Sequence, residues 1–177
     1  MPTMPTRLGL GISAGLGVPY LRELAVRCEG LGYHSLWSND EPAASGLETV
    51  AHLAAAAPRI ELGLGVLPLD RHEPARIALE IKRLGMDPAR LWLGIGSGRL
   101  HPQIDPLRHA VAELREILPR GTRIVLAAMR PRLCRLGGEL ADAVLLNWML
   151  PDQLAEARRL VQRGADESGR AAPSVAS

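Results

Sequence analysis

The chain has 177 residues, 47% of them apolar, enough for one domain with a sizeable core and too few for a second. Its 21 basic and 19 acidic side chains leave a formal charge of +2, and the basic residues are scattered, so nucleic acid is excluded as the expected partner. No apolar run approaches the roughly 18 residues of a membrane span, and residues 1–6 lack the charged start and apolar stretch of a signal peptide. A soluble, cytoplasmic single domain over residues 1–177 is the expectation. Cys28 and Cys134 are the only cysteines; they read as buried apolar thiols rather than a disulfide framework or zinc site.

Short apolar runs alternate with amphipathic stretches along the chain. The first strand is expected at Leu8–Ser13, followed by a helix with Pro19 near its start, Leu21, Leu24, Ala25, Cys28 and Leu31 on one face, and Gly32 as its stop. A second strand, Ser35–Asn39, leads to a helix announced by Ser45 and Glu48, spaced as a capping box. Ile60–Leu67 reads as the third strand, with Ile77, Ile81 and Leu84 striping the next helix. Leu91–Ile95 is the fourth strand, before a helix opened by Asp105 and Pro106. Ile124–Ala128 and Ala143–Asn147 are the fifth and sixth strands, with helices over about Pro131–Leu140 and from Pro151 to near Gly164. Residues 165–177 read as a frayed tail. Six successive βα units imply an α/β fold with a parallel sheet. The strands are nearly continuous in apolar residues, as in strands covered on both faces.

Ligands of parallel α/β folds sit at the C-terminal ends of the strands. Those ends carry Ser13, then Asn39, Asp40 and Glu41, then Gly65–Asp70, then Gly96, Ser97 and Gly98, then Met129, then Trp148. Asp40 and Glu41 are the one pair of adjacent carboxylates there, suited to orienting a polar ligand and to acid–base work, or to capping a helix. The glycine run at 94–98 bares backbone N–H groups and permits close approach. Four arginines, Arg71, Arg99, Arg130 and Arg132, also fall at strand exits. The five histidines show no metal-like grouping; His72, in a strand-exit loop, is the least ordinary of them. Gly9, Gly11 and Ala14 fit a dinucleotide-binding pattern formally, but the helix begins near Pro19, too late for its N-terminus to meet a pyrophosphate.

The segments Glu29–Trp37, Arg59–Val66, His72-Glu73-Pro74, Arg90–Gly98 and Leu140–Leu146, taken in order and spacing, resemble the luciferase-like monooxygenase superfamily, especially its branch using the deazaflavin F420. The resemblance runs from about Arg7 to Gly164. It implies a TIM-like barrel shortened to about six βα units, with F420 or FMN at the C-terminal face. It further implies an F420- or FMN-dependent oxidoreductase acting on a small organic substrate by hydride transfer or monooxygenation. Asp40 then corresponds to the aspartate near the cofactor headgroup. Gly65 and Val66 correspond to the step behind the ring, with a non-proline cis peptide between them in F420 members. Gly96, Ser97 and Gly98 correspond to the loop after strand four, and Glu41 is the candidate proton donor. Glu41 stands where relatives often carry histidine, and Arg99 where they often carry tryptophan or glutamate. The alternative is a non-catalytic reduced barrel that binds a flavin or serves as a partner subunit. Unpaired edges of a shortened sheet imply a homo-oligomer that covers them.

Overall fold

The structure is a computed structural model that describes residues 7–98 and 104–177. Strand β1 (Gly9–Ile12) is followed by α1 (Val18–Gly30), β2 (Ser35–Ser38) by α2 (Gly46–Ala56), and β3 (Glu61–Leu64) with the short β4 (Leu67–Pro68) by α3 (Pro74–Arg83). A 3-10 turn at Pro88–Arg90 leads into β5 (Leu91–Gly96), then α4 (Ile104–Ile117), β6 (Arg123–Ala127), α5 (Pro131–Leu140), β7 (Ala143–Leu145), α6 (Pro151–Glu167) and β8 (Ser174–Ala176). The strands are parallel and lie in the order β1-β2-β3-β5-β6-β7-β8, with β4 paired to β5 alone. The fold is a parallel α/β sheet curled into a partial barrel.

Three expectations about the bounds of elements need correcting. The single strand expected at Ile60–Leu67 is interrupted at Gly65–Val66, whose peptide bond is cis, and resumes as β4. Gly94 makes room for this: a methyl there would overlap the Leu64 carbonyl oxygen and lie 2.9 Å from Val66 Cγ1. The stop expected near Gly164 lies at Gly169 instead. Gly169 has φ +64°, and Arg170 N–H returns to the Ala165 carbonyl at 3.0 Å, closing α6 with a left-handed glycine. Gly164 is a packing position inside the helix, against the Arg135 carbonyl. Finally, the frayed tail is a strand. Arg170 donates to the carbonyls of Glu139 (3.0 Å) and Ala141 (3.2 Å), and Ser174–Ala176 pairs in register with Ala143–Leu145.

The core lies between the sheet and its helices, where Leu36, Leu62, Leu64, Leu93, Ile95, Ile124, Leu126 and Val144 are buried against residues such as Leu21, Leu53, Ile81, Leu114 and Leu136. Covering of both faces holds on the opposite face for Gly63, Gly94, Val125 and Ala143, which are buried, and not for the rest of it. Alternation along the strands places there Gly9, Gly11, Ser35, Trp37, Glu61, Gly63, Trp92, Gly94 and Arg123, several of them only half-buried. At its N-terminal end Arg123 stacks on Trp92, 4.0 Å from guanidinium carbon to ring centroid, and pairs with Glu61 at 3.0 Å. Glu61 also accepts from Trp92 Nε1 at 3.0 Å. Trp37 lies across Gly63, where any side chain would overlap its ring. The curl is visible in one contact: a methyl on Gly65 of the β3 exit would come within 3.2 Å of Leu145 Cδ2 on β7, although β5 and β6 separate those strands in the sheet.

Candidate active site

The C-terminal strand ends gather the residues singled out above. Asp40 follows β2, and its side chain is only 3% exposed. Oδ1 accepts the N–H of Gly46, the first residue of α2, at 2.9 Å. Oδ2 accepts Arg71 Nη2 and His72 Nε2, each at 2.8 Å. Arg71 Nη2 also reaches the Asp40 carbonyl at 3.1 Å. A buried carboxylate is tolerated only with such a set of donors. The carboxylate thus faces protein, and what it presents to the rim is the pair it holds, Arg71 and His72, 33% and 26% exposed at their side chains.

Glu41 lies beside this group but has separate partners. Ser13 Oγ, at the exit of β1, donates to Glu41 Oε1 at 2.6 Å. The Ser13 oxygen in turn accepts Gly15 N–H at 3.1 Å, which directs the hydroxyl proton at the carboxylate. Asn39 Oδ1 accepts Ala14 N–H at 3.0 Å. The β1 and β2 exits are therefore tied to each other, and the β4–α3 loop is tied to the β2 exit through Asp40.

Gly65 and Val66 stand at the β3 exit, and the Val66 side chain leans over Gly94 and Gly96, 3.0 Å from where a Gly96 methyl would sit. Leu69 N–H bonds the Gly96 carbonyl at 2.9 Å. Gly98 has φ +65°, and any side chain there would overlap the Asp70 carboxylate. Gly96 and Ser97 complete the same loop; Arg99 and His101 lie outside the described residues. Arg130 precedes α5 and Arg132 lies in its first turn, on the far side of the face from Asp40 in the sheet order. Met129, Trp148 and Leu150, at the β6 and β7 exits, are 58%, 93% and 68% exposed.

Sequence reading found Asp40 and the glycine loop, and left Arg71 and His72 undecided. Their signal is position: both stand in the strand-exit loop just ahead of Pro74, at the start of α3. The donors they give to Asp40 span 31 and 32 residues, so no local pattern exposes the pairing. Two concavities lie away from this face. One, of about 310 Å³, is a mixed-charge cleft around Arg7, Glu29, His34, Arg59 and Glu61 at the opposite strand ends. The other, of about 550 Å³, is an apolar groove between Leu10 and the α1 residues Leu24 and Cys28. Among the described residues no group of three or more His, Cys, Asp or Glu is arranged to hold a metal ion, and no helix is long and apolar enough to cross a membrane.

A curled parallel sheet with a glycine-lined inner face and polar strand-end loops defines the chain as a TIM-barrel-like α/β protein. Residues 3–119 match the luciferase-like monooxygenases, and the chain belongs to that family. Among solved structures it is similar to the coenzyme F420-dependent tetrahydromethanopterin reductase of Methanopyrus kandleri, with TM-score 0.79 and 18% identity over 96% of this chain and 64% of that one. It is also similar to an F420-dependent secondary alcohol dehydrogenase in complex with an F420–acetone adduct (TM-score 0.77, 17% identity, 96% of this chain, 68% of that one). A third similar structure is the FMN-bound oxygenating constituent of 3,6-diketocamphane monooxygenase from the CAM plasmid of Pseudomonas putida (TM-score 0.72, 15% identity, 93% of this chain, 64% of that one). The chain thus spans roughly two thirds of the length of these structures.

Proposed function

We propose that the chain is an oxidoreductase that binds F420 or FMN on the inner face of the curled sheet and acts on a small organic substrate by hydride transfer or monooxygenation. The observation that carries this reading is the wall of small residues at the rim. Gly65 leaves its backbone partly exposed at the β3 exit, a side chain there would close the gap to Leu145, and Gly94 and Gly96 let Val66 pack flat against β5 beside it. A flat ring needs such a backbone-lined wall. Gly65 and Val66 would back the ring, and Gly96, Ser97 and Gly98 would lie along its substituents. The cofactor, when bound, supplies the hydride or oxygen chemistry. Asp40 fixes the Arg71–His72 loop beside the ring, and Glu41, steadied by Ser13, offers a carboxylate to the same rim. The F420-dependent and FMN-bound similar structures support this cofactor class.

Separate titrations with F420 and FMN, read by ligand fluorescence and by thermal unfolding, test the proposal. Saturable binding of one of them is expected, with stability rising by about 2.7 kcal/mol when ligand reaches a hundred times its Kd. Absence of binding by both would overturn it. A second reading, a non-catalytic flavin-binding or partner-subunit protein, is favoured by Glu41 and Arg99 where the resemblance expects other residues. Binding without reduction or oxidation of any substrate in a panel of small alcohols, aldehydes and ketones would select it.

A further inference from the structure

We propose that His72, oriented by Asp40, is the proton-transfer residue of this face; the assignment rests on the oxidoreductase reading above. All three groups around the Asp40 carboxylate are donors: Gly46 N–H at 2.9 Å, Arg71 Nη2 at 2.8 Å and His72 Nε2 at 2.8 Å. The imidazole therefore holds its proton on Nε2 when neutral, and Nδ1 carries the free lone pair. Among the described residues Nδ1 has no hydrogen-bond partner, and the His72 side chain keeps 26% of its surface exposed at the strand-end rim. The backbone is fixed as well, since His72 N–H bonds the Pro68 carbonyl at 3.1 Å. A buried carboxylate, an imidazole locked in one tautomer and an outward basic nitrogen together make an oriented acid–base dyad.

Charged groups beside the ring include Asp40 from the β2 exit and Arg71 from its own loop, which shares Oδ2. Arg71 offsets the Asp40 charge, so the dyad is not an uncompensated anion. The sequence resemblance expects a histidine directly after the aspartate, where Glu41 stands; the fold returns an imidazole to the same carboxylate from another strand exit.

In the oxidising direction His72 Nδ1 takes the proton of a substrate O–H or N–H. The two electrons of that bond form the new double bond to carbon, and the hydride that the carbon gives up leaves to the acceptor that an oxidised flavin or deazaflavin would supply when bound. His72 then passes its proton to water. In the reducing direction every transfer reverses, and the imidazolium protonates the heteroatom as the carbon receives hydride.

The tautomer is read first, on the apo chain, by two-bond ¹H–¹⁵N correlation of the histidine rings, with His72 assigned from His72→Gln. Protonation on Nε2 with a bare Nδ1 is expected in the neutral ring, and Asp40→Asn should mix the two tautomers. A neutral ring protonated on Nδ1, or one indifferent to Asp40→Asn, overturns the dyad whatever the chain binds. The second readout is turnover with the cofactor selected by titration. His72→Gln should lower kcat by about 10²–10⁴-fold and remove one limb of its pH profile, with cofactor Kd changed less than about threefold. His72→Asn serves as a second variant if the first folds poorly. Full turnover in a folded variant overturns the catalytic assignment, whereas failure of cofactor binding by the wild-type chain overturns the oxidoreductase reading instead.

Discussion

Asp40 shows how one side chain organises three segments. Its carboxylate caps α2 through Gly46, holds Arg71 and His72, and is almost wholly buried. Asp40→Ala removes charge-assisted bonds that are worth about 1.5–3 kcal/mol each to a charged partner, leaving Arg71 and His72, which are partly exposed, able to recover water. A loss of about 2–3 kcal/mol is expected in urea unfolding; a change below the error of the fit would mean that the Asp40 bonds add nothing net. The aspartate itself was legible in the sequence as a polar residue ending an apolar strand. Its partners were not, because a hydrogen bond across 31 residues leaves no mark on local spacing. Glu41 was equally legible, but its tie to Ser13 depends on β1 and β2 lying side by side, which only pairing reveals.

Helix packing here turns on glycines that sequence reading treats as stops. A methyl on Gly138 of α5 would overlap the Val161 carbonyl, and one on Gly164 of α6 would overlap the Arg135 carbonyl, so the two helices cross backbone to backbone. Helix propensity alone would make Gly164→Ala stabilising by about 1 kcal/mol. Backbone overlap cannot be relieved by a rotamer change, and we expect a net loss of about 1–3 kcal/mol, measured by thermal or urea unfolding. A gain would show that α5 and α6 slide apart freely. A second device at this scale joins α4 to α5: Arg108 grips Glu139 through its two terminal guanidinium nitrogens, with Nη2 at 2.8 Å from Oε2. The hydrogen bond from Arg108 holds the Glu139 carboxyl below its ordinary range. A depressed folded-state value contributes stability above the unfolded value of about 4.3 and loses it as pH falls through the folded value. Glu139→Gln should therefore be less stable than wild type at neutral pH, with the difference vanishing on acidification. A difference independent of pH would place its origin in packing. These contacts were invisible beforehand, although the extents of α5 and the start of α6 at Pro151 were read correctly from the punctuation.

At the scale of the molecule, the alternation of strands and helices gave the α/β class directly, because continuous apolar strands beside striped helices admit few architectures. The inner face was less legible. Its gap at Gly65 is bounded by Leu145 across the curl, about 80 positions away in the chain. The tail was misread because three residues of Ser, Val and Ala carry little strand signal; Arg170 and the β7 edge order them. Strands β1 and β8 end the sheet without further strand partners among the described residues, and neither carries the charge or proline that commonly guards an edge. Self-association that covers these edges follows as a proposal, tested by light scattering at tens of micromolar: an oligomer is expected, and a strict monomer contradicts it.

The central claim, a cofactor seated on the inner face at the strand ends, is tested most directly by hydrogen exchange with and without saturating F420 or FMN. The account predicts slowed exchange in three segments, 38–41, 64–72 and 94–98, with the cleft around Arg7, Glu29 and Arg59 unchanged. Protection confined to that cleft or to the apolar groove beside α1, or no protection anywhere, would contradict it.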